Sequence, residues 1–390
     1  MLPRRIVTAK RGLPQTANVK TIMPTNTALS RRSFASLLAS AAALAAVPLP
    51  QAVAKSAKEE PASDVVRLSA NENPYGPSPI ALSAMRDAMA ITYRYPDEAV
   101  DALSADLAKL HGVPTDQVIL GAGSSEILKL IGLAYLGPGK TIAIADPTFE
   151  ALPHYAASHG AQIVKVPLDA RFAHDTEKLA ATNASVIYVC NPNNPTASIT
   201  PKAAVRALLD AAPRSVIVVD EAYHHYVDSA DYESVIPLVS KYPNLIVTRT
   251  FSKVYGIAGL RCGYGIAQNA AMEPLRRQQA WDSMNTMALA AAHASLGDAK
   301  QVPDGKRRNR ETRAQLVRDL ATLGYSIIPS EANFVMIDLR RDVKPLIGAL
   351  RERGVEVGRL FPALPHHMRV TIGTPAQMRR FVEALTAVVA

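Results

Sequence analysis

Lys253 stands inside the run Thr250-Phe251-Ser252-Lys253-Val254-Tyr255-Gly256-Ile257-Ala258-Gly259-Leu260-Arg261, between hydroxyl residues and an arginine eight positions on. A lysine amine condenses with an aldehyde, while the hydroxyls of Thr250 and Ser252 can donate to a phosphate that Arg261 binds through a two-pronged charged hydrogen bond. That combination suits the Schiff base of pyridoxal phosphate, which carries both groups. The apolar Leu245-Ile246-Val247 leads into the run, so Lys253 is expected where a strand ends, shielded from water, with its pKa lowered toward nucleophilic readiness. An isolated Phe-Ser-Lys tripeptide equally fits a surface lysine beside a small-residue turn, so the reading needs support elsewhere.

Support comes from three further strand ends. Val216-Ile217-Val218-Val219 runs into Asp220-Glu221-Ala222-Tyr223. Asp220 can pair with a protonated pyridine nitrogen and so keep the ring an electron sink for a Cα carbanion. Tyr223 can donate to the ring's phenolic oxygen. Val186-Ile187-Tyr188-Val189-Cys190 leads into Asn191-Pro192-Asn193-Asn194-Pro195-Thr196, a stiffened turn whose Asn194 is the second candidate for that oxygen. Val118-Ile119-Leu120 leads into Gly121-Ala122-Gly123-Ser124-Ser125-Glu126, where glycines and small hydroxyls open a helical stretch and make an anion site. Ligands of open α/β sheets bind beyond such carboxyl ends.

Two other motifs compete. The segment 121–126 has Glu126 where a dinucleotide loop needs its third glycine, and that scheme leaves Lys253 without a role. Ala134-Tyr135-Leu136-Gly137-Pro138-Gly139-Lys140-Thr141 fits a relaxed nucleotide P-loop, but a helical pattern precedes it and a strand follows, the reverse of a P-loop. It reads as an αβ turn. The pairs His224-His225 and His366-His367 lack carboxylate–histidine metal spacing and read as ordinary polar residues. The basic cluster Lys306 to Arg308 with Arg310 begins a helical pattern whose default is a solvated face.

Taken jointly and in order, LSANENPYGP (68–77), YRYPD (93–97), GAGSSE (121–126), DPTFE (146–150), NPNNPT (191–196), VVDEAY (218–223), TRTFSKVYGIAGLRCGY (248–264), SEANFVM (330–336) and MRVTIGT (368–374) resemble a fold-type-I pyridoxal phosphate aminotransferase of class I/II, similar to the histidinol-phosphate aminotransferase family. The resemblance covers nearly everything from residue 68 onward. It implies Lys253 as the catalytic Schiff-base lysine, Asp220 at the pyridine nitrogen, Tyr223 and Asn194 at the phenolic oxygen, and Phe149 stacked on the ring. It implies Ser124, Ser125, Thr250, Ser252 and Arg261 around the cofactor phosphate, with Tyr95 reaching it from the neighbouring subunit of a homodimer. Arg369 is implied as the clamp on the substrate α-carboxylate, with Asn194, Tyr75 and Arg359 at substrate positions, the last two where the family binds a substrate phosphate. The expected reaction is transamination between an amino acid or amine, glutamate among the candidates, and a 2-oxo acid. In it Lys253 acts as the base at Cα, and Arg369 selects which Cα bond breaks.

The chain departs from the family in places. Ala197 follows NPNNPT where glycine is usual, so the turn is expected to avoid positive φ. Phe149 keeps a stacking ring without a hydroxyl. Around Trp281 to Met287 only Asn285 stays in register, which leaves the substrate open. The rivals are a decarboxylase similar to threonine-phosphate decarboxylase, a carbon–sulfur lyase, and an exported amino-acid-binding protein on the same fold.

The N-terminus points to export. Ser30-Arg31-Arg32-Ser33-Phe34-Ala35 precedes an apolar run from Leu37 to Val47, and Ala52-Val53-Ala54 fits an A-x-A cleavage site. This reads as a twin-arginine signal over 1–54, with Met23 an alternative start and residues 1–22 an extra extension. The expected location is periplasmic, or cytoplasmic if the signal is misread, with the twin-arginine translocase a partner during export. The apolar run is too short for a permanent membrane span. Seven of the nine excess positive charges lie within 1–54, so the rest of the chain is nearly neutral and gives no ground for nucleic-acid binding. Two cysteines, Cys190 and Cys262, build no disulfide framework and read as packed thiols.

These side chains require a scaffold that holds four strand ends side by side. Alternating strands and helices from Val118 to about Ile266 predict an α/β large domain with a parallel-rich sheet flanked by helices, and the resemblance implies that this sheet is mostly parallel and seven-stranded, within a large domain over 91–285. A smaller α/β C-terminal domain follows over 286–390. Residues 55–90, rich in Pro, Asn and Ser, predict an arm that brings Asn71-Glu72-Asn73-Pro74-Tyr75 to the cleft.

Overall fold

The computed structural model describes residues 65–389, and the expected leader at 1–54 and the start of the expected arm at 55–64 lie outside them. Twelve strands are described: β1 (Val66–Leu68), β2 (Val118–Gly121), β3 (Thr141–Asp146), β4 (Gln162–Pro167), β5 (Val186–Cys190), β6 (Val216–Asp220), β7 (Leu245–Thr250), β8 (Gly263–Ala267), β9 (Ser326–Ile328), β10 (Phe334–Asp338), β11 (Val355–Val357) and β12 (His367–Thr371). β2 to β8 form one seven-stranded sheet in the order β2-β8-β7-β6-β5-β3-β4. Only β8 runs antiparallel to its neighbours β2 and β7.

The central strands β5, β6 and β7 are buried on both faces, which explains their near-continuous Val/Ile content. On one face Ile187, Val189, Ile217, Val219 and Val247 join a core completed by the helices Lys202–Ala211 and Thr286–Gly297. On the other, Val186, Tyr188, Val218 and Ile246 pack beneath Ser124–Tyr135. The helix Thr286–Gly297, placed by the sequence pattern in the C-terminal domain, contributes Ala288, Leu289, Ala291 and Ala292 to the first of these cores.

A separate core gathers β10 to β12 and the helices Gln301–Thr322, Val343–Glu352 and Pro375–Val389. The three-stranded antiparallel sheet here has the order β12-β10-β9. β1 pairs in parallel with β11, so Val66 and Leu68 of the arm enter this core and fix the chain just before Asn71.

The pairing registers place the chemistry. Cys190 lies opposite Asp220, Asp220 opposite Thr248, and Thr250 opposite Gly263, which pairs in turn with Gly121. The carboxyl ends of β2, β5, β6 and β7 therefore share one edge of the sheet. The Gly137–Lys140 segment connects the helix Ser124–Tyr135 to β3 and is an αβ turn, as its context predicted.

One expectation is corrected and another gains detail. Ala197 has φ +61°, fully buried, instead of avoiding the left-handed region. Its N–H donates to Asn193 O at 2.8 Å and its carbonyl accepts from Glu331 N–H at 2.8 Å, and these bonds hold a conformation that costs an L-residue about 1–2 kcal/mol. The basic cluster on Gln301–Thr322 leaves Arg308 and Arg310 exposed, as expected of a solvated face, while Lys306 and Arg310 also converge on Asp228 at 3.1 and 3.6 Å and Arg308 lies over the Tyr75 ring at 4.8 Å. Sequence periodicity identifies a helix face but not the acidic loop that docks on it.

Candidate active site

At the shared edge lies a cavity of about 340 Å³, walled by Ser124, Ser125, Phe149, Asn194, Asp220, Tyr223, Thr250, Ser252, Lys253, Arg261 and Arg369, together with Asn71 and Glu72 from the arm. Lys253 follows β7 by three residues. Its Nζ donates to Asn71 O at 3.1 Å and lies 5.4 Å from the centre of the Tyr223 ring. Desolvation and the Arg369 charge lower its pKa to about 8, so a useful fraction of the amine is unprotonated near neutral pH.

Asp220 ends β6, 1% exposed. Burial raises its pKa to about 6, partly opposed by the Tyr188 hydroxyl, which donates to Oδ2 at 3.0 Å. Oδ1 has no hydrogen-bond partner. A buried carboxylate oxygen facing a cavity without a donor is costly unless a ligand supplies one. The Tyr223 hydroxyl accepts from Asn71 Nδ2 at 3.1 Å and from Asn194 Nδ2 at 3.3 Å, which leaves its own proton to be donated. Burial pushes its pKa up, so the phenol keeps that proton.

Arg369, on β12, donates to Asn194 Oδ1 at 2.7 Å and to Ser69 O at 2.7 Å, while its buried Nε has no partner. The opposite end of the cavity is built for an anion. Ser124 and Ser125 open the helix Ser124–Tyr135 and present its N-terminus. Thr250 Oγ1 donates to Ser252 Oγ at 2.9 Å, and Arg261 NH1 donates to the same oxygen at 3.3 Å. Gly123 has φ +81°, and a Cβ there would meet Arg261 NH2 at 2.1 Å. Only glycine lets the guanidinium close over this loop.

These features fit pyridoxal phosphate. A pyridine N–H would satisfy Asp220 Oδ1, the phosphate would sit between the helix N-terminus and Arg261, and an aldehyde between them would face Lys253. Eleven of the residues singled out by the sequence thus share one cavity. Tyr95 does not: it is 78% exposed and lines a different hollow, with Asn285 and Met287. Tyr75 lies under Arg308, beside a groove between the helices Gln301–Thr322 and Pro375–Val389. Arg359 forms an ion pair with Glu150 next to the cavity. Asn285 caps the helix Thr286–Gly297 and donates to Leu260 O at 2.8 Å, which braces the segment carrying Arg261. Cys190 and Cys262 are buried free thiols.

Two site residues escaped the sequence reading. Asn71 reads only as part of an Asn/Pro-rich arm, yet its backbone holds Lys253 and its side chain holds Tyr223. Tyr188 reads as one more apolar strand residue. It pairs with Val218, two residues before Asp220, so the register brings it to the same face as that carboxylate.

The lysine, carboxylate and anion cradle at the carboxyl edge of a parallel sheet define a fold-type-I pyridoxal phosphate enzyme. The chain belongs to the family described as aminotransferase class I and II, whose model matches residues 63–385. It is 41% identical over 329 residues to the histidinol-phosphate aminotransferase of Symbiobacterium thermophilum, an alignment covering 83% of this chain and 90% of the relative. It is 39% identical over 334 residues to that of Moorella thermoacetica, covering 84% and 86%. Among solved structures it superposes on the histidinol-phosphate aminotransferase of Sinorhizobium meliloti in complex with pyridoxal-5'-phosphate, with a TM-score of 0.77, 28% identity and coverage of 83% and 92%. The L-threonine-O-3-phosphate decarboxylase of Porphyromonas gingivalis, at 23% identity and a TM-score of 0.75, shares the fold. The protein is accordingly a pyridoxal phosphate-dependent aminotransferase.

Proposed function

We propose that this enzyme moves an amino group between an amino acid or amine and a 2-oxo acid, with Lys253, Asp220 and Arg369 in the roles their placement suits. The observation that carries the reading is the unpartnered Asp220 Oδ1 on the same cavity wall system as a desolvated lysine amine. Pyridoxal phosphate, when bound, supplies a cationic ring that withdraws electrons from the substrate Cα. Asp220 keeps a negative charge at the ring-nitrogen position, and Tyr188 orients that carboxylate. Arg369 fixes the α-carboxylate through a guanidinium already set by Asn194 and Ser69, so the Cα–H bond rather than the carboxylate bond is held for cleavage. Lys253 Nζ takes the Cα proton, and Asn71 O keeps the amine aimed into the cavity.

The substrate reading is histidinol-phosphate-like, supported by the named relatives, with decarboxylase and carbon–sulfur lyase chemistry as the alternatives. Purified protein is expected to be yellow and to yield an oxo product with amino transfer; carbon dioxide release would overturn the assignment. Lys253→Ala should lose the visible absorbance and lower the rate by about a thousandfold or more. A colourless wild type that cannot be reconstituted sinks the reading, whether or not it binds amino acids as an exported binding protein.

The enzyme is further proposed to act as a homodimer. Met89, Ile91, Tyr93, Tyr95 and Trp281 are exposed, Trp281 at 95%, an unusual concentration of apolar surface that a second copy would cover while bringing Tyr95 to the partner's phosphate cradle. Export to the periplasm by the twin-arginine route is the accompanying proposal, supported by Arg31-Arg32, Phe34 and the Ala52-Val53-Ala54 site. Replacing Arg31 and Arg32 together by lysine should abolish periplasmic accumulation; unchanged amounts would mean the signal was misread.

A further inference from the structure

Asn333 and Thr371 are buried polar residues of the C-terminal domain, and neither is among the residues that wall the cavity. Asn333 precedes β10 and Thr371 ends β12, where it pairs with Phe334, so the two sit side by side. Both engage Asn71. The Asn71 N–H donates to Thr371 Oγ1 at 2.9 Å, and that hydroxyl donates in turn to Asn71 Oδ1 at 3.3 Å. Asn333 Nδ2 donates to Asn71 O at 3.0 Å and to Glu72 O at 3.4 Å. These two carbonyls fix the orientation of the Asn333 amide, because its oxygen turned the same way would face two acceptors. Asn71 has φ +55°, a left-handed conformation that asparagine tolerates but does not favour. Asn71, Asn333 and Thr371 are exposed by only 1%, 2% and 3%, so no solvent is at hand to replace a lost bond.

We infer that Asn333 and Thr371 are positioning residues for the base: by holding Asn71 in its left-handed conformation they point its carbonyl at Lys253 Nζ and so set where the amine lone pair faces. The role of Lys253 as base rests on the transaminase reading. Asn71 O receives Asn333 Nδ2 at 3.0 Å and Lys253 Nζ at 3.1 Å, one donor for each of its lone pairs. A neutral amine that uses one N–H on this carbonyl has its lone pair turned away from the arm, toward the cavity. The Thr371 hydroxyl also occupies Asn71 Oδ1, which leaves Nδ2 to donate to the Tyr223 hydroxyl at 3.1 Å. Thr371 and Arg369 stand two residues apart on β12, on the face opposite Met368 and Val370, which enter the C-terminal core. One strand therefore sets the carboxylate clamp directly and the base through Asn71, and the Cα–H bond is presented between them.

The ionisation of Lys253 in the full chain freed of cofactor tests this, read by trace acetylation with acetic anhydride across pH and mass spectrometry of the Lys253 peptide. A carbonyl that accepts from the ammonium stabilises the charged form, so a carbonyl turned away lowers the midpoint of labelling. Thr371→Val removes the hydroxyl from a side chain of the same shape, strands the Asn71 N–H, and should lower the midpoint by about one unit. Thr371→Ser should restore it. Asn333→Leu should shift it in the same direction, and the double variant should add little to the larger single shift, since both act on one carbonyl. In the cofactor-loaded enzyme, single-turnover removal of the Cα proton, from the fastest amino acid of a panel that includes L-glutamate, should slow roughly ten- to a hundredfold in Thr371→Val. The α-deuterium isotope effect should rise, while the dissociation constant of the donor stays within about threefold. Midpoints within about 0.3 unit of wild type in folded Thr371→Val and Asn333→Leu, or a Thr371→Ser shift as large as that of Thr371→Val, overturn the inference and leave transamination intact. If Thr371→Val does not fold, Asn333→Leu decides on the same midpoint. Shifted midpoints in a protein that transaminates no donor of the panel would keep the positioning and lose the reaction.

Discussion

Replacing Tyr188 by phenylalanine removes one hydroxyl from a fully buried ring and leaves its packing in place, so it isolates the hydrogen bond to Asp220. Burial already raises the Asp220 pKa to about 6, and the hydroxyl opposes that rise by stabilising the charged form. A hydrogen bond to a charged group contributes about 1.5–3 kcal/mol, equivalent to about one to two pKa units. In Tyr188→Phe the carboxyl should therefore titrate near 7 to 8. Cofactor uptake by the apo-protein needs the carboxylate, so affinity falls on the acid side of this pKa. Near pH 6 the wild type is about half ionised, whereas the variant should be about one-tenth to one-hundredth ionised and bind the cofactor roughly five- to fiftyfold more weakly. Near pH 9 both forms carry the carboxylate and should bind alike. Titrating apo-protein with pyridoxal phosphate across this pH range, followed by visible absorbance, reads the inflection directly. An inflection unmoved within about 0.3 unit refutes the reasoning, since that is far below the shift a charged hydrogen bond implies. A uniform loss at every pH would attribute the effect to packing instead.

Two further predictions concern the support beneath the site. Glu221, 1% exposed, accepts from Arg249 Nε and NH2 at 2.9 and 2.7 Å, from Ser234 Oγ at 2.9 Å and from Val235 N–H at 2.7 Å. Arg249→Met should cost about 3–5 kcal/mol in urea unfolding because it strands a buried carboxylate, and a cost under about 1 kcal/mol would show that the pair is not desolvated as described. His174 is buried and neutral, its pKa lowered by desolvation from 6.5 to about 4. The unfolded chain binds the extra proton first, so stability is intact above pH 6.5 and declines as pH falls toward 4, by about 3 kcal/mol in all. His174→Gln should flatten that acid slope; an unchanged slope would assign it to other groups.

Much of this site is legible in the sequence because its parts are local. Most of the proposed cofactor residues follow within a few positions of an apolar strand, and β-branched runs leading into Asn194, Asp220 or Ser252-Lys253 announce both the element and the group it presents. The mostly parallel sheet follows from alternating strands and helices, whereas its strand order, β2-β8-β7-β6-β5-β3-β4, is a property of the tertiary structure. Tyr75, Tyr95 and Arg359 could not be settled in this way, since their roles depend on surfaces that meet across distant segments or across a second chain.

The sequence by itself singled out Lys253, Asp220 and Arg261, because residue type and position near an apolar strand are properties of a short stretch of chain, and the family resemblance added Arg369. Only the tertiary structure decided who serves them. The parallel pairing of β1 with β11 carries Asn71 to Lys253, the β5–β6 register carries Tyr188 to Asp220, and the meeting of two connections places Glu150 against Arg359. Those contacts join residues 32 to 209 positions apart, and no spacing in a sequence encodes a distance that folding alone closes.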